Sequence, residues 1–536
     1  MSDMRKLKSP YKPVVLLVLD GFGVNPQAVE SPWKEAKHPA FEEIEKFWPF
    51  TVLQASGLAV GLPWGEEGNS EVGHLTMGSG RVVYNHLPRI MVSIQDNSFF
   101  KNEAFLTAVE KVKKQNSSLH FMGLFSSGSV HSYVDHLYAL LKLAESNGVK
   151  KTYLHLFTDG RDAPQDEGVK FTRQLEERLF KLYPDIKIAS LVGRRYAMDR
   201  DGNWDMIEKT YEMLTEGKAE KFQVASLYLE DSYKKGIFDE NIEPGILVDS
   251  AGNPEGRIQS GDAVIFFNYR EDSMREIAKA FSEDDFKEFE REKLSDVLFV
   301  AITEYEKGIP MLVAFPPLDV GWPLARVLSE AGMKQLHVAE TEKYAHITYF
   351  FNGGREILYP GEERILIPSL KAGHFDLAPE MSAPKITDSV ISALGKYDFI
   401  LANFANADMV GHTGNFESTI KAFEVLDFSV GKIIPKVLEM GGALIITGDH
   451  GNAEEKIYRF SGEKRTKHTA NPVPFYLIVE DSRRKNNRSR EEILKIYSNV
   501  SGVLTDIAPT ILELMDLEKP KEMTGISLVG RLSDNN

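Results

Sequence analysis

The sequence predicts an α/β protein: one discontinuous domain with a second α/β domain inserted into it. Three observations carry this. Short β-branched runs alternate with amphipathic helical stretches from end to end, a pattern that implies largely parallel sheets. The chain has 536 residues, more than one hydrophobic core serves, so two or more domains are expected. The residues with chemical character also fall into two sets: carboxylates and histidines lie before Asn85 and after Gln335, and arginines lie between. An insertion explains that division with two crossings. They are placed near Asn85–Arg89 and Lys307–Pro317, where Gly308, Pro310, Pro316 and Pro317 punctuate the chain. The expected limits are 1–86 with 316–536 for the outer domain and 87–315 for the insert.

Nine runs read as buried strands: Val14–Leu19, Leu119–Leu124, Thr152–Phe157, Ile186–Leu191, Ala263–Phe267, Val297–Ile302, Phe399–Asn403, Ala443–Thr447 and Phe475–Val479. Helical patterns cover Val169–Leu182, Trp204–Leu214 and Phe416–Leu438. No internal repeat is present, and the polar stretch Asp481–Arg490 reads as a surface loop.

Composition narrows the function classes. Hydrophobic residues make up 42% and charged residues 26%, as in a soluble globular protein. A net charge of −16 and a pI near 5.4 argue against general nucleic-acid or anionic-membrane binding. They leave a small anionic substrate open, because a local arginine cluster can reverse the field in one cleft. With no cysteine, disulfides, thiolate catalysis and Cys-ligated zinc are excluded, and a reducing, cytoplasmic location is compatible. The apolar run Val14–Leu19 is too short for a signal sequence and ends in Asp20-Gly21; no stretch is long enough to span a membrane.

In parallel α/β sheets ligands gather at the carboxyl ends of strands. Asp20, Thr158–Asp162, Arg194, Asn268–Arg270, Asn406–Asp408 and Gly448–Gly451 all follow predicted strands. Asp20, Asp408 with His412, and Asp449-His450 with His468 form a candidate metal set. Carboxylate and imidazole together suit manganese, zinc or magnesium-like ions, and there are enough ligands for two. Asp20 alone would read as a turn former, and Asp408 with His412 is a weak pattern in isolation. The adjacent Asp449-His450 between glycines is the strong signal. His74, His136 and His155 read as structural.

Ser70, in Gly68-Asn69-Ser70-Glu71, stands where a helix can begin, so its plainest role is an N-cap. The same place favours a nucleophile, because a helix N-terminus stabilises both an alkoxide and a phosphate. The arginines Arg161, Arg194, Arg200 and Arg270 each lie within a few residues of a strand end, with Arg195 and Arg275 close by. Convergent guanidinium groups recognise carboxylate and phosphate by paired hydrogen bonds. His131 and Asp162 are candidate proton carriers, each with an equal claim as a cap or turn residue.

Ten segments in one order go further: VLDGFG, GLPWGEEGNSEVGHLTMGSGRVVY, VHSYVDHL, FTDGRDAP, GRRYAMDRDGNWD, FFNYRED, ETEKYAHITYFFNGG, ANADMVGHTGNF, ITGDHGNAE and KHTANPVPF. From Val14 to the C-terminus the chain resembles the cofactor-independent phosphoglycerate mutases of the alkaline-phosphatase-like superfamily. The resemblance implies a discontinuous alkaline-phosphatase-like α/β/α sandwich around a transferase-like, substrate-binding insert. It implies a monomeric enzyme that interconverts 3-phosphoglycerate and 2-phosphoglycerate without 2,3-bisphosphoglycerate. Two divalent ions, usually manganese with magnesium, cobalt or zinc as alternatives, would bind at Asp408, His412 and His468, and at Asp20, Ser70, Asp449 and His450. Ser70 would carry the phosphoryl group as phosphoserine. Asp162 would be the acid/base, and Lys343 the cation that stabilises the transferring phosphoryl. His131, Arg161, Asp162, Arg194, Arg200 and Arg270 would bind substrate. Retaining glycerate requires a closed cleft, so domain closure is expected to limit turnover. A metal-dependent phosphatase or a phosphopentomutase of the same superfamily is the alternative.

One position departs from the resembled pattern. The family reads Asn-aromatic-Arg-x-Asp-Arg, whereas this chain has Ser273 in the last place. Arg275, two residues on, would point about 200° around a helix axis and is no automatic replacement. Arg195 is the other nearby charge. Substrate grip is therefore expected to be weakened or redistributed.

Overall fold

The computed structural model describes residues 10–28, 30–370, 374–458 and 461–534. The chain divides into two compact units, Met1–Asn85 with Leu318–Asn536, and His86–Pro317. In chain order the strands are β1 Val14–Leu19, β2 Phe50–Gln54, β3 Leu119–Leu124, β4 Thr152–Thr158, β5 Ile186–Gly193, β6 Glu220–Phe222, β7 Gly245–Leu247 and β8 Ala263–Phe266. They continue with β9 Leu298–Thr303, β10 Leu312–Phe315, β11 Gln335–Glu340, β12 Glu362–Ile367, β13 Phe399–Phe404, β14 Ala443–Thr447, β15 Val473–Ile478 and β16 Val500–Val503. Among the described residues no helix is long and apolar enough to cross a membrane.

The discontinuous unit holds an eight-stranded sheet in the order β12-β11-β13-β1-β14-β15-β2-β16. β1 is its centre: Val14–Leu19 pairs in parallel register with Phe399–Phe404 on one side and with Ala443–Thr447 on the other. All six β1 side chains are buried. Val14, Leu16 and Val18 pack into one core and Val15, Leu17 and Leu19 into another, as the two-residue strand period requires. A strand covered on both faces reads as a continuous apolar run, which is why β1 was visible in sequence. β15 runs antiparallel to β14 and β2.

The second unit holds a sheet in the order β10-β9-β8-β3-β4-β5-β7-β6. Six neighbouring strands from β10 to β5 are parallel, and β7 turns antiparallel against β5. Separate cores cover its two faces.

All nine expected strands are present, shifted by no more than a few residues. The expectation missed β2, β6, β7, β10, β11, β12 and β16. Several of these are short, and β12 (EERILI) opens on charges at a sheet edge, so none forms a long apolar run. The Asp481–Arg490 stretch is corrected in part: Ser482 and Arg488 are buried, and the Arg488 guanidinium donates to the carbonyls of Glu45 and Trp48.

Candidate active site

Four adjacent parallel strands of the discontinuous unit, β11-β13-β1-β14, end on Lys343, Asp408, Asp20 and Asp449-His450 in that order. Strand order thus gathers residues spread over most of the chain. Gly21 follows with φ +75°, and a Cβ there would stand 2.7 Å from the Asp408 Cα, so only glycine lets the β1 and β13 ends approach this closely. Its N–H donates to Asp449 Oδ1 at 3.0 Å.

Ser70 enters the cluster from the helix Ser70–Ser79. The N-cap is Asn69, whose side chain accepts from the Val72 N–H at 3.0 Å, so the expected capping role of Ser70 is corrected. Ser70 is the first helical residue, and its hydroxyl is free to face the carboxylates. Its Oγ lies 3.0 Å from Asp20 Oδ1, 3.0 Å from His450 Nε2 and 2.7 Å from Lys343 Nζ. Lys343 also contacts Asp20 Oδ1 at 2.7 Å and Asp408 Oδ2 at 2.6 Å.

Asp20, Asp408, Asp449, His450 and Lys343 are all buried. Burial would raise Asp20 and Asp408, but the Lys343 ammonium and histidine hydrogen bonds outweigh it and hold both well below the usual carboxylate range. Burial opposes protonation of His450, yet the Asp449, Asp20 and Asp408 carboxylates push it up to about 10. Lys343 is held firmly protonated; burial opposes this, and Asp20 and Asp408 overcome it. Three carboxylates face one ammonium and the His450 imidazolium, which leaves one uncompensated negative charge in a buried space. Asp449 Oδ2 is buried there without a hydrogen-bond partner among the described residues. Such a pocket suits divalent cations.

A second group supports this. His412 Nδ1 donates to Thr466 O and His468 Nδ1 to Gly68 O, each at 2.8 Å. That places each ring's proton on Nδ1 and turns both Nε2 lone pairs inward, 3.0 Å from one another and 3.3 Å from Asp408 Oδ1. The three ligand atoms lie within 4.8 Å of one another, as do those of Asp20, Asp408 and His450. Two imidazoles in ligating tautomer beside a carboxylate fit a divalent ion.

His74, expected to be structural, belongs to this centre. It is buried, with Nδ1 2.8 Å from Ser70 O and 3.3 Å from Asp449 Oδ2, and Nε2 3.0 Å from Asn403 Nδ2. Asn403 also donates to Asp20 Oδ2 at 2.8 Å. The sequence signal was the four-residue spacing from Ser70 to His74, one turn on the same helix face. Asn452, which donates to Asp408 Oδ1 at 2.7 Å, and the buried Lys456 behind it had no sequence signal beyond their place after Asp449. His136 and His155 are buried in the other unit.

In the unit His86–Pro317, adjacent strands β8-β3-β4-β5 deliver the arginine cluster from their carboxyl ends. Arg194 is buried, with Nη1 2.7 Å from Asp159 Oδ1 and 2.6 Å from Asp162 Oδ2, and Nη2 2.9 Å from His131 Nε2. Asp159 was passed over in sequence, but it organises the turn: its Oδ1 accepts from the N–H groups of Arg161 and Asp162. Arg161, Arg194, Arg195, Arg200, His131 and Ser273 help line a cavity of about 80 Å³. Arg161 pairs with Glu240; Arg200 and Arg270 share Asp272 at 2.7 and 3.0 Å. Arg275 instead donates to Tyr305 O at 3.1 Å. A cluster of four exposed guanidinium groups around one buried one can bind a small polyanion.

Comparison with known proteins gives a consistent picture. Residues 90–307 match the family model described as the BPG-independent PGAM N-terminus. The chain is similar to the 2,3-bisphosphoglycerate-independent phosphoglycerate mutase of Chloroflexus aggregans, at 45% identity over 97% of this chain and 99% of that one. It is also similar to the enzyme numbered 1 with that name from Methanosarcina barkeri, at 46% identity over 97% and 98%. Among solved structures, Leishmania mexicana phosphoglycerate mutase, determined at low cobalt concentration, aligns with TM-score 0.52 and 30% identity over 96% of this chain and 97% of that chain.

Proposed function

The chain belongs to the 2,3-bisphosphoglycerate-independent phosphoglycerate mutase family, and from that premise we propose that it interconverts 3-phosphoglycerate and 2-phosphoglycerate by passing the phosphoryl group through Ser70. The observation that supports this best is the setting of the Ser70 hydroxyl. A carboxylate, an imidazole and an ammonium stand within 3.0 Å of it, at the positive end of a helix.

In this reading the arginine cluster holds the phosphoglycerate, with Arg161, Arg194, Arg200, Arg270 and His131 on its anionic and hydroxyl groups. Ser70 Oγ bonds to phosphorus as the phosphorus–glycerate oxygen bond breaks. The serine proton passes to Asp20 Oδ1, to which the hydroxyl already donates, and Asp162 protonates the departing glycerate oxygen. Lys343 neutralises charge on the phosphoryl oxygens, which counts most in a buried site. Glycerate then presents its other hydroxyl. Asp162 takes that proton, the new oxygen–phosphorus bond forms, and Ser70 recovers its hydrogen. Asp408, His412 and His468 would hold one divalent ion and Asp20, Ser70, Asp449 and His450 a second, manganese by resemblance. Such ions supply Lewis-acid charge neutralisation and favour an ionised hydroxyl. The reading implies a cytoplasmic monomer acting on a small molecule.

An enolase-coupled assay without added 2,3-bisphosphoglycerate tests this. Chelated protein should be inactive, manganese should restore activity, and Ser70→Ala should lower kcat by more than about 1,000-fold. Inorganic phosphate release without 2-phosphoglycerate would mean a phosphatase, and full activity in Ser70→Ala would remove the nucleophile.

A further inference from the structure

Ser273 is buried, and its Oγ lies 2.9 Å from His131 Nδ1 and 3.5 Å from Arg270 O. Across the same ring, Nε2 lies 2.9 Å from Arg194 Nη2. A guanidinium nitrogen only donates, so His131 Nε2 must accept. The ring proton is then on Nδ1 and donates to Ser273 Oγ. A second proton is kept off: burial, then the Arg194 and Arg270 charges, push the imidazole down to about 4. The backbone ties the same segments together, since His131 O accepts from Tyr269 N at 2.8 Å and from Arg270 N at 3.3 Å.

We propose that Ser273 is a positioning residue for the mutase reaction: it holds His131 in the Nδ1–H tautomer, so that Nε2 offers a lone pair to Arg194 and the substrate cavity. The inference rests on reading this cavity as the phosphoglycerate site. Its consequence falls on Arg194, whose fork is gripped by three acceptors: Asp159 Oδ1, Asp162 Oδ2 and His131 Nε2. In the other tautomer an N–H would face Arg194 Nη2, donor against donor, and would compete with Arg194 for Asp162 Oδ2, which lies 3.5 Å from Nε2, so the guanidinium would lose its place beside Asp162.

A guanidinium at position 273 would have the same effect. It could only donate to Nδ1, which would force the ring proton to Nε2. Ser273→Arg, which recreates the resembled family's residue, is therefore expected to bind substrate worse rather than better.

The test uses the full chain labelled with 15N-histidine, with the His131 signals assigned by their loss in His131→Asn. At pH 7 the wild type should show a protonated Nδ1 and an unprotonated Nε2. Ser273→Ala should mix or invert that pattern, and Ser273→Thr should keep it. Steady-state kinetics should show KM for 3-phosphoglycerate raised about 10-fold in Ser273→Ala and within about 3-fold of wild type in Ser273→Thr, the scale of one lost hydrogen bond to a buried partner. A wild-type His131 protonated on Nε2 would overturn the proposal, as would a Ser273→Ala KM within about twofold of wild type. The tautomer is read without turnover, so failure of the mutase reading would appear separately, as inactive wild-type protein.

Discussion

Ser70, Lys343 and His74 show how far a residue's role depends on what a strand order brings beside it. Ser70 reads in sequence first as an N-cap, and the glycines beside it only narrow the gap to a nucleophile. Lys343 stood out only through resemblance, since one lysine after a strand looks like any surface cation. Its burial between Asp20 and Asp408 makes it a fixed charge. His136 is the opposite case, a histidine with no visible chemistry. It is fully buried, with its ring centroid 6.0 Å from that of Tyr133 and 5.7 Å from that of Tyr269, and burial pushes it down to about 3. The unfolded chain binds a proton at this site near pH 6.5, and the folded chain only near 3. The unfolded state therefore gains protons first as pH falls. This site's contribution to stability is complete above its unfolded pKa of 6.5 and is lost as pH drops towards 3. The slope is up to about 1.4 kcal/mol per pH unit. His136→Phe keeps the aromatic packing, so urea unfolding at pH 7 and pH 5 should show a shallower loss of stability than in wild type. Equal slopes would mean that His136 titrates normally in the folded protein.

At the scale of elements, the helix Ser70–Ser79 shows where sequence reading loses resolution. Asn69 and Ser70 are both favoured caps, and propensity does not separate two good caps one residue apart. The structure puts the cap on Asn69, which releases Ser70 for the cluster. Asn69→Ala should cost about 1 kcal/mol in chemical denaturation, the usual worth of an N-cap. A loss of no more than about 0.3 kcal/mol would return the cap to another group, since that is less than Asn-to-Ala cap changes normally cost. Central strands such as β1 and β13 were legible because both faces are buried and nearly every residue is apolar, Asn403 of β13 being the exception. β11 and β12 were not legible, because Gln335, His337 and Glu340 interrupt the first and charges open the second. Lys343 therefore lacked a strand to stand on.

At the scale of the molecule, each unit repeats one device: four adjacent parallel strands whose carboxyl ends converge. One set gathers carboxylates, histidines and Lys343, and the other gathers arginines. The separation of these residue types along the chain was visible in the sequence. The order of strands within each sheet was not, because pairing between strands hundreds of residues apart leaves no local pattern. Nor was the reversal of β15, since antiparallel and parallel strands with both faces covered read alike. The chemistry assigned to these clusters is a phosphoryl group resting on Ser70 between two glycerate oxygens. Acid quench of the manganese-loaded protein during turnover of 3-phosphoglycerate, followed by peptide mass spectrometry, looks for that species directly. The account predicts a phosphoryl group on the Ser70 peptide that is absent from Ser70→Ala. Turnover with the phosphoryl group on another residue would contradict it.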